Sequence, residues 1–197
     1  MVKVEQINLK YALELAEEQR QDYILFCFKN QNVFNEIDLE MHTGFDLATA
    51  KQVEVKEGET TLVPTGVKWV APKGYYLSIV PRSGISLHTP IRLANAPATI
   101  ESSYRGDISF LVSLANREYV SKFVNYKGIK RSRLMKDGIY KVLIPENTRL
   151  GQCLIHKTIF AQPINNIFYV IDEELYNTLA TVFQSKRGEK GYGSTGV

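Results

Sequence analysis

The sequence predicts an all-β domain, a sandwich or barrel of short strands, with a helical N-terminal extension and a flexible Gly-rich C-terminal arm. Three observations carry this expectation. From Gly44 onward, short runs rich in Val, Ile, Tyr and Thr follow one another; Gly and Pro punctuate the gaps; neither an internal repeat nor a Rossmann-like βαβ alternation is present. Before that, residues 10–22 are rich in Ala, Leu, Glu and Gln and contain no Gly or Pro, which predicts a helix. Leu15 four positions after Tyr11, and Ala16 four after Ala12, give that helix one short apolar face. The strand candidates are 52–55, 60–63, 66–70, 75–80, 107–114, 140–144 and 152–158. A second helix is expected over 172–183, with Asp172 as N-cap and acidic residues in its first turn. Four glycines between Gly188 and Val197 leave the C-terminus without a stable element.

Length and composition bound the function. The chain has 197 residues, 44% of them hydrophobic, enough for one ordinary core without a disulfide framework. Cys27 and Cys153 show no CxxC pairing and read as isolated apolar thiols in a reducing, cytoplasmic compartment. The longest apolar run, Tyr23 to Phe28, covers six residues against the ~20 of a membrane span, and no signal peptide precedes it. These features argue against a membrane protein, a disulfide-stapled secreted domain and a disordered chain.

The formal net charge is +3, unevenly spread. Between Arg117 and Lys141 eight basic residues meet two acidic ones, so this stretch carries +6 and the rest of the chain −3. A nucleic-acid-binding protein spreads such charge along one face of its fold. A single basic stretch reads instead as a solvated excursion, and argues against a nucleic-acid partner.

Four segments put polar groups and glycines where an anion-handling site needs them. Pro81-Arg82-Ser83-Gly84 offers a rigid Pro, a fixed positive charge, a hydroxyl donor and a residue that permits close backbone approach. By itself it reads first as a turn after a strand with a surface Arg. Asn95 to Gly106 brings an amide, the carboxylate of Glu101 and the ring of Tyr104 onto one excursion, a hairpin that could hold a planar base and present a general base. Arg149-Leu150-Gly151-Gln152 adds an amide before a strand. The last eleven residues set Arg187, Ser194 and Thr195 around Tyr192 in a Gly frame, which suits either a frayed end or a closing arm. The three histidines, His42, His88 and His156, lack metal-ligand spacing, and the H-x-E…P-C-x-x-C signature of zinc deaminases is absent.

Taken together and in order, these segments resemble the five motifs of the homotrimeric dUTP diphosphatases, or dUTPases. Gly44-Phe45-Asp46-Leu47-Ala48 resembles the first, Pro81 to Ile85 the second, Asn95 to Ile108 the third, Arg149 to Ile155 the fourth, and Arg187-Gly188 with Gly191 to Gly196 the fifth. The resemblance implies a distorted jelly-roll or β-barrel subunit, a homotrimer whose active sites are shared between chains, and hydrolysis of dUTP to dUMP and pyrophosphate. Mg²⁺ is the implied cofactor, bound through the substrate phosphates rather than by protein ligands. Glu101, where the family usually has Asp, would activate the attacking water. Tyr104 would pack under the deoxyribose and reject a 2′-hydroxyl. Asn95 and the backbone from Ala98 to Ile100 would read the uracil edge. Arg82, Ser83, Gly84 and Gln152 would bind phosphates, with Asp46 holding Arg82 in place. Tyr192 would stack on uracil where the family usually has Phe, Gly193 would let the arm close, and Arg187, Ser194 and Thr195 would clamp the γ-phosphate. Two further departures are Ala98 at a usual Gly and Ser103 at a frequent Asp.

The resemblance divides the chain into an N-terminal helical or strand extension over 1–43 and a dUTPase-like domain over 44–197. Within the latter lie an insert at about 116–143 and the arm at 185–197. In some phage members a similarly placed insert takes part in binding partner proteins, which gives a second reading. The chain would then be a dUTP-binding regulator with weak catalysis, acting on a partner protein through 116–143, in the host cytoplasm if phage-encoded. The related dCTP deaminase branch is a third reading, and the arm argues against it.

Overall fold

The computed structural model describes residues 3–6, 23–28, 43–71, 74–132, 138–158 and 167–182. The strands are β1 (Lys3–Gln6), β2 (Tyr23–Phe28), β3 (Phe45–Ala48), β4 (Val53–Lys56), β5 (Thr61–Val70), β6 (Tyr75–Pro81) and β7 (Ile91–Leu93). They continue with β8 (Ala98–Glu101), β9 (Ile108–Leu114), β10 (Asn125–Tyr126), β11 (Ile129–Arg131), β12 (Lys141–Ile144), β13 (Arg149–Lys157) and β14 (Ile167–Ile171). Among the described residues three helices are interspersed: α1 (Ser83–His88), α2 (Arg117–Lys122) and α3 (Glu173–Val182). Three sheets result, in the orders β1-β14-β2-β5-β9-β7, β10-β11-β12-β4 and β3-β13-β6-β8. Their pairings are antiparallel except those of β14 with β1 and β2. The all-β expectation is therefore met. No helix among the described residues is long and apolar enough to cross a membrane.

Every strand candidate falls on a strand, with one merger. The runs at 60–63 and 66–70 are a single strand, β5, whose register against β9 shifts between Pro64 and Val67. Pro64 has no N–H to give the ladder, and Gly66 takes a positive φ of 68°. Thr65 replaces the missing backbone pairing: its buried Oγ1 donates to Ile108 O at 2.5 Å and accepts from Val67 N at 3.2 Å. The interruption that looks like a turn in the sequence is thus a bulge. Near the C-terminus, α3 starts where expected, because Asp172 Oδ1 accepts from Leu175 N at 2.7 Å and Glu173 and Glu174 follow in the first turn.

Three expectations are corrected, and two fall outside what is described. The segment after β6, read as a turn, is the short helix α1. The stretch from Asn95 to Gly106 is not a hairpin closed on itself: β8 pairs with β6, whereas β9 pairs with β5 and β7. The basic stretch is not a fully solvated excursion, because Val120, Phe123 and Ile129 from it lie in the hydrophobic core with Trp69, Leu77 and Ile144. Its apolar positions need cover just as those of the regular strands do. The helix expected over 10–22 and the C-terminal arm lie outside the described residues.

One buried hydroxyl fixes the entry to β13. Thr49 Oγ1 donates to Pro145 O at 2.7 Å and accepts from Thr148 N at 3.0 Å, while the Thr49 backbone bonds Thr148 and Asn147. Thr49→Val keeps the shape but strands the Thr148 N–H, while Pro145 O keeps its bond from Thr148 Oγ1, so it should cost about 1–3 kcal/mol. Urea unfolding should show a lower midpoint at unchanged slope.

Candidate functional site

β13 lies between β3 and β6, and this placement assembles the site. In register, Gln152 stands opposite Asp46 on one side and Val80 on the other, and Gly151 stands opposite Pro81. The segments carrying Asp46, Arg82 and Gln152 are therefore neighbours at one end of the sheet. The Asp46 carboxylate lies between two guanidinium groups, with Oδ1 3.3 Å from Arg82 Nε and Oδ2 3.6 Å from Arg149 Nη1. Such an arrangement holds two cations close together, which their mutual repulsion would otherwise oppose. Close strand approach depends on Gly44, where a Cβ would fall 2.4 Å from Cys153 O. Cys153 itself is fully buried, and burial pushes its thiol well above the usual range, which suits a packing role.

A cleft of about 740 Å³ opens over this end. Arg82, Ser83, Gly84, Arg149 and Gln152 line it together with two segments that the motif reading did not include. The first is the turn 145–148, held from below by Thr49, in which Asn147 takes a φ of 60°. The second is the link between β10 and β11, where Lys127 and Gly128 both have positive φ, 47° and 86°. The clue to it was Tyr126-Lys127-Gly128, a Gly-containing turn inside the basic stretch. The cleft is lined by three cations, Arg82, Lys127 and Arg149, against one carboxylate, Glu146. Ser83 and Gln152 add exposed polar groups, and the first turn of α1 brings N–H groups that lack intrahelical partners. This donor-rich set suits a polyanion.

The remaining described candidates lie elsewhere. β8 is an edge of its sheet among the described residues, with Ala98 opposite Ile79, Ile100 opposite Leu77 and Glu101 opposite Tyr76. Glu101 and Asn95 are exposed, and Ala98 is buried. Six residue steps along the chain lead from Tyr76, beside Glu101, to Arg82, a span of about 20 Å. Tyr104 is buried; its hydroxyl donates to Asp107 O at 3.1 Å and its N–H to Glu101 O at 3.0 Å. Arg105 Nη1 closes the same turn by donating to Ser102 O and Tyr104 O. Burial pulls the Arg105 pKa down, partly opposed by Tyr176, whose hydroxyl donates to Arg105 O at 2.6 Å. Of the histidines, His88 stacks on Tyr126 and His156 on Tyr76, each with ring centroids 4.9 Å apart. Arg187, Tyr192, Gly193, Ser194 and Thr195 lie outside the described residues, as does His42.

The cleft's donor set also bears on metal. Among the described residues no group of three or more His, Cys, Asp and Glu comes together. A hard cation such as Mg²⁺ fits this cationic cleft as a companion of bound phosphate oxygens, keeping several of its waters.

Comparison with known proteins bears on the family and the fold. A family model described as dUTPase matches residues 34–125. The chain is 32% identical to a deoxyuridine 5′-triphosphate nucleotidohydrolase of Fusobacterium nucleatum over 162 residues, covering 81% of this chain and 86% of that protein. It is 32% identical to the protein of the same name from a Mycobacterium species, covering 78% and 80%. Among solved structures, a dUTPase from Streptococcus mutans has a TM-score of 0.51 at 19% identity, covering 69% of this chain and 94% of that one. A dUTPase of Staphylococcus bacteriophage 80alpha has 0.53 at 19% identity, covering 71% and 93%. These structures share the fold.

The seat of Tyr104 can be tested directly. A Cβ at Gly106 would fall 2.4 Å from the Tyr104 hydroxyl, so Gly106→Ala must displace the ring. We expect a loss of about 1–3 kcal/mol, typical of overpacking. Tyr104→Phe, which removes the bond to Asp107 O, should cost about 0.5–1.5 kcal/mol. Denaturation midpoints of the two variants compare the effects.

Proposed function

Because this chain belongs to the dUTPase family, we propose that it hydrolyses dUTP to dUMP and pyrophosphate with Glu101 as general base. The observation that carries this reading is the Asp46-bridged pair of Arg82 and Arg149, set beside Ser83, Gly84 and Gln152 on a donor-rich cleft. Fixed guanidinium groups suit phosphate oxygens in both charge and geometry. The Glu101 carboxylate takes a proton from water, and the water oxygen bonds to the α-phosphorus. The bond from that phosphorus to the bridging oxygen breaks, and pyrophosphate leaves with the electron pair. Mg²⁺ carried by the triphosphate would supply charge neutralisation for the leaving group, with no cluster of protein ligands of its own among the described residues.

Edge-strand chemistry supports the base-binding role of β8. A strand paired on one side only leaves alternate N–H and C=O groups unspent. The backbone from Ala98 to Ile100 therefore has groups to offer a planar uracil edge, with the Asn95 amide beside it. Tyr104 then packs under the deoxyribose, where a 2′-hydroxyl would find no room against its fixed ring. The arm supplies Tyr192 as a stacking face, Gly193 as a pivot, and Arg187, Ser194 and Thr195 as a clamp on the γ-phosphate.

Distance supports a site shared between chains. Reacting atoms must approach to about 3–3.5 Å, yet about 20 Å separates Glu101 from Arg82 within one chain. A homotrimer brings Glu101 of one subunit to the cleft of another. The regulatory reading has its own support in the packing of the basic stretch around α1, through which a partner would feel the state of the cleft.

Two measurements test the reaction and the sharing. Glu101→Gln should lower kcat for Mg²⁺-dependent dUTP hydrolysis by about 10²–10⁴-fold, with analogue affinity nearly unchanged. Arg82→Ala and Glu101→Gln, each inactive alone, should regain activity when co-assembled, because some mixed sites receive both intact residues. Failure of the mixture to recover, with both proteins folded, would place the two residues in one chain's site. Absence of pyrophosphate release by the unaltered protein would remove the enzymatic reading and leave that of a binding regulator.

A further inference from the structure

The turn between β10 and β11 has a feature its local structure does not require. Both turn residues have positive φ, which makes it a type I′ turn, the kind that favours Asn, Asp or Gly at its first position. Lys127 occupies that position at φ 47°. A residue kept against the local preference is expected where something other than folding needs it. The turn is also held in place from several sides. Tyr126 stacks on His88 with centroids 4.9 Å apart, and its hydroxyl sits 3.3 Å from where a Cβ on Gly84 would be. Tyr119 on α2 donates to Leu87 O at 2.9 Å. The basic stretch is thus clamped onto α1, the helix that carries Ser83 and Gly84, and the clamp delivers Lys127 to the cleft wall.

Charge gives this placement a consequence. Arg82, Lys127 and Arg149 line the cleft against Glu146, and Asp46 bridges the two arginines. With Asp46 counted, the described residues leave one net positive charge; without Lys127 they leave none. A triphosphate placed there needs that surplus.

We propose that Lys127, at the tip of the β10–β11 turn, is a further phosphate-binding residue that grips the pyrophosphate-leaving end of the substrate triphosphate. The inference rests on the dUTPase reading for its substrate, but its chemistry is polyphosphate recognition and can be tested apart from uracil. The end farthest from the attacked phosphorus is assigned from the proposed shared site. There base, sugar and attacked phosphorus go with β8 and Glu101 of a neighbouring subunit, about 20 Å being too far within one chain. The cleft's own cations are left the phosphates beyond it.

The test uses Lys127→Asn, which removes the charge while suiting the turn better, so that loss of fold cannot mimic loss of binding. Calorimetry with inorganic tripolyphosphate, a non-hydrolysable dUTP analogue and dUMP provides the readout. We expect binding of tripolyphosphate and of the analogue to weaken about tenfold, the lower range for a charge-assisted contact at an exposed lysine, with dUMP binding unchanged. Lys127→Arg should retain affinity. Lys130→Ala, which removes an exposed charge on the same hairpin but not on the cleft wall, should bind as the unaltered protein does. Equal weakening by Lys130→Ala, equal loss of dUMP, unchanged tripolyphosphate binding in Lys127→Asn, or no tripolyphosphate binding by the unaltered protein would each overturn the proposal. Lys127-dependent tripolyphosphate binding by a protein that leaves dUTP intact would uphold it and overturn the dUTPase reading instead.

Discussion

The position of β13 between β3 and β6 is the constraint on which the site depends. Three segments, separated by up to about a hundred residues of chain, meet because one strand pairs with both neighbours in fixed register. A slip of one residue would turn Gln152 inward and Cys153 outward, exposing a fully buried thiol and burying an amide. Register is therefore set by the core, and the polar end of the sheet inherits it. The Asp46 carboxylate then fixes what the backbone has brought together, since two guanidinium groups hold station around it.

The same sheet also divides labour. One end of β6 leads into Arg82 and α1, while the other runs beside Glu101 on the edge strand β8. A rigid strand keeps these groups apart as firmly as β13 keeps the cleft residues together. The cleft and Glu101 of one chain consequently stand apart, and this separation is what the proposed sharing of sites between subunits rests on. The edge position of β8 among the described residues suits that proposal, because its outer edge leaves backbone groups for a ligand.

The basic stretch belongs to the body of the protein. Val120, Phe123 and Ile129 anchor it in the core, and its aromatic residues grip α1 from outside. Charge that looks like a solvated run in one dimension is thereby sorted in three. Lys127 reaches the cleft, Lys141 pairs with Glu54, and Arg117 pairs with Glu57. That sorting explains why the net charge of the chain says little about its ligand. What matters is which cations share one concave wall.

The sequence by itself determined the fold class, the strand positions and the residue types of the site. Alternation, turn residues and N-caps are local signals, and β4, β6, β9, β12 and α3 fall within a residue or two of where those signals set them, while β13 begins three residues earlier. Ordered motifs likewise carried Asp46, Arg82, Ser83, Gly84 and Gln152, which the fold gathers at one end of one sheet. Only the tertiary structure decided the rest. The merger of two runs into β5 depends on Thr65 bonding across to Ile108, forty-three residues away. The separation of Glu101 from Arg82, the bracing of the turn 145–148 by Thr49, and the arrival of Lys127 at the cleft are likewise products of pairing between distant segments. Local patterning states what each segment prefers to be; which segments become neighbours is settled by the shared burial of their apolar faces, a property of the whole chain.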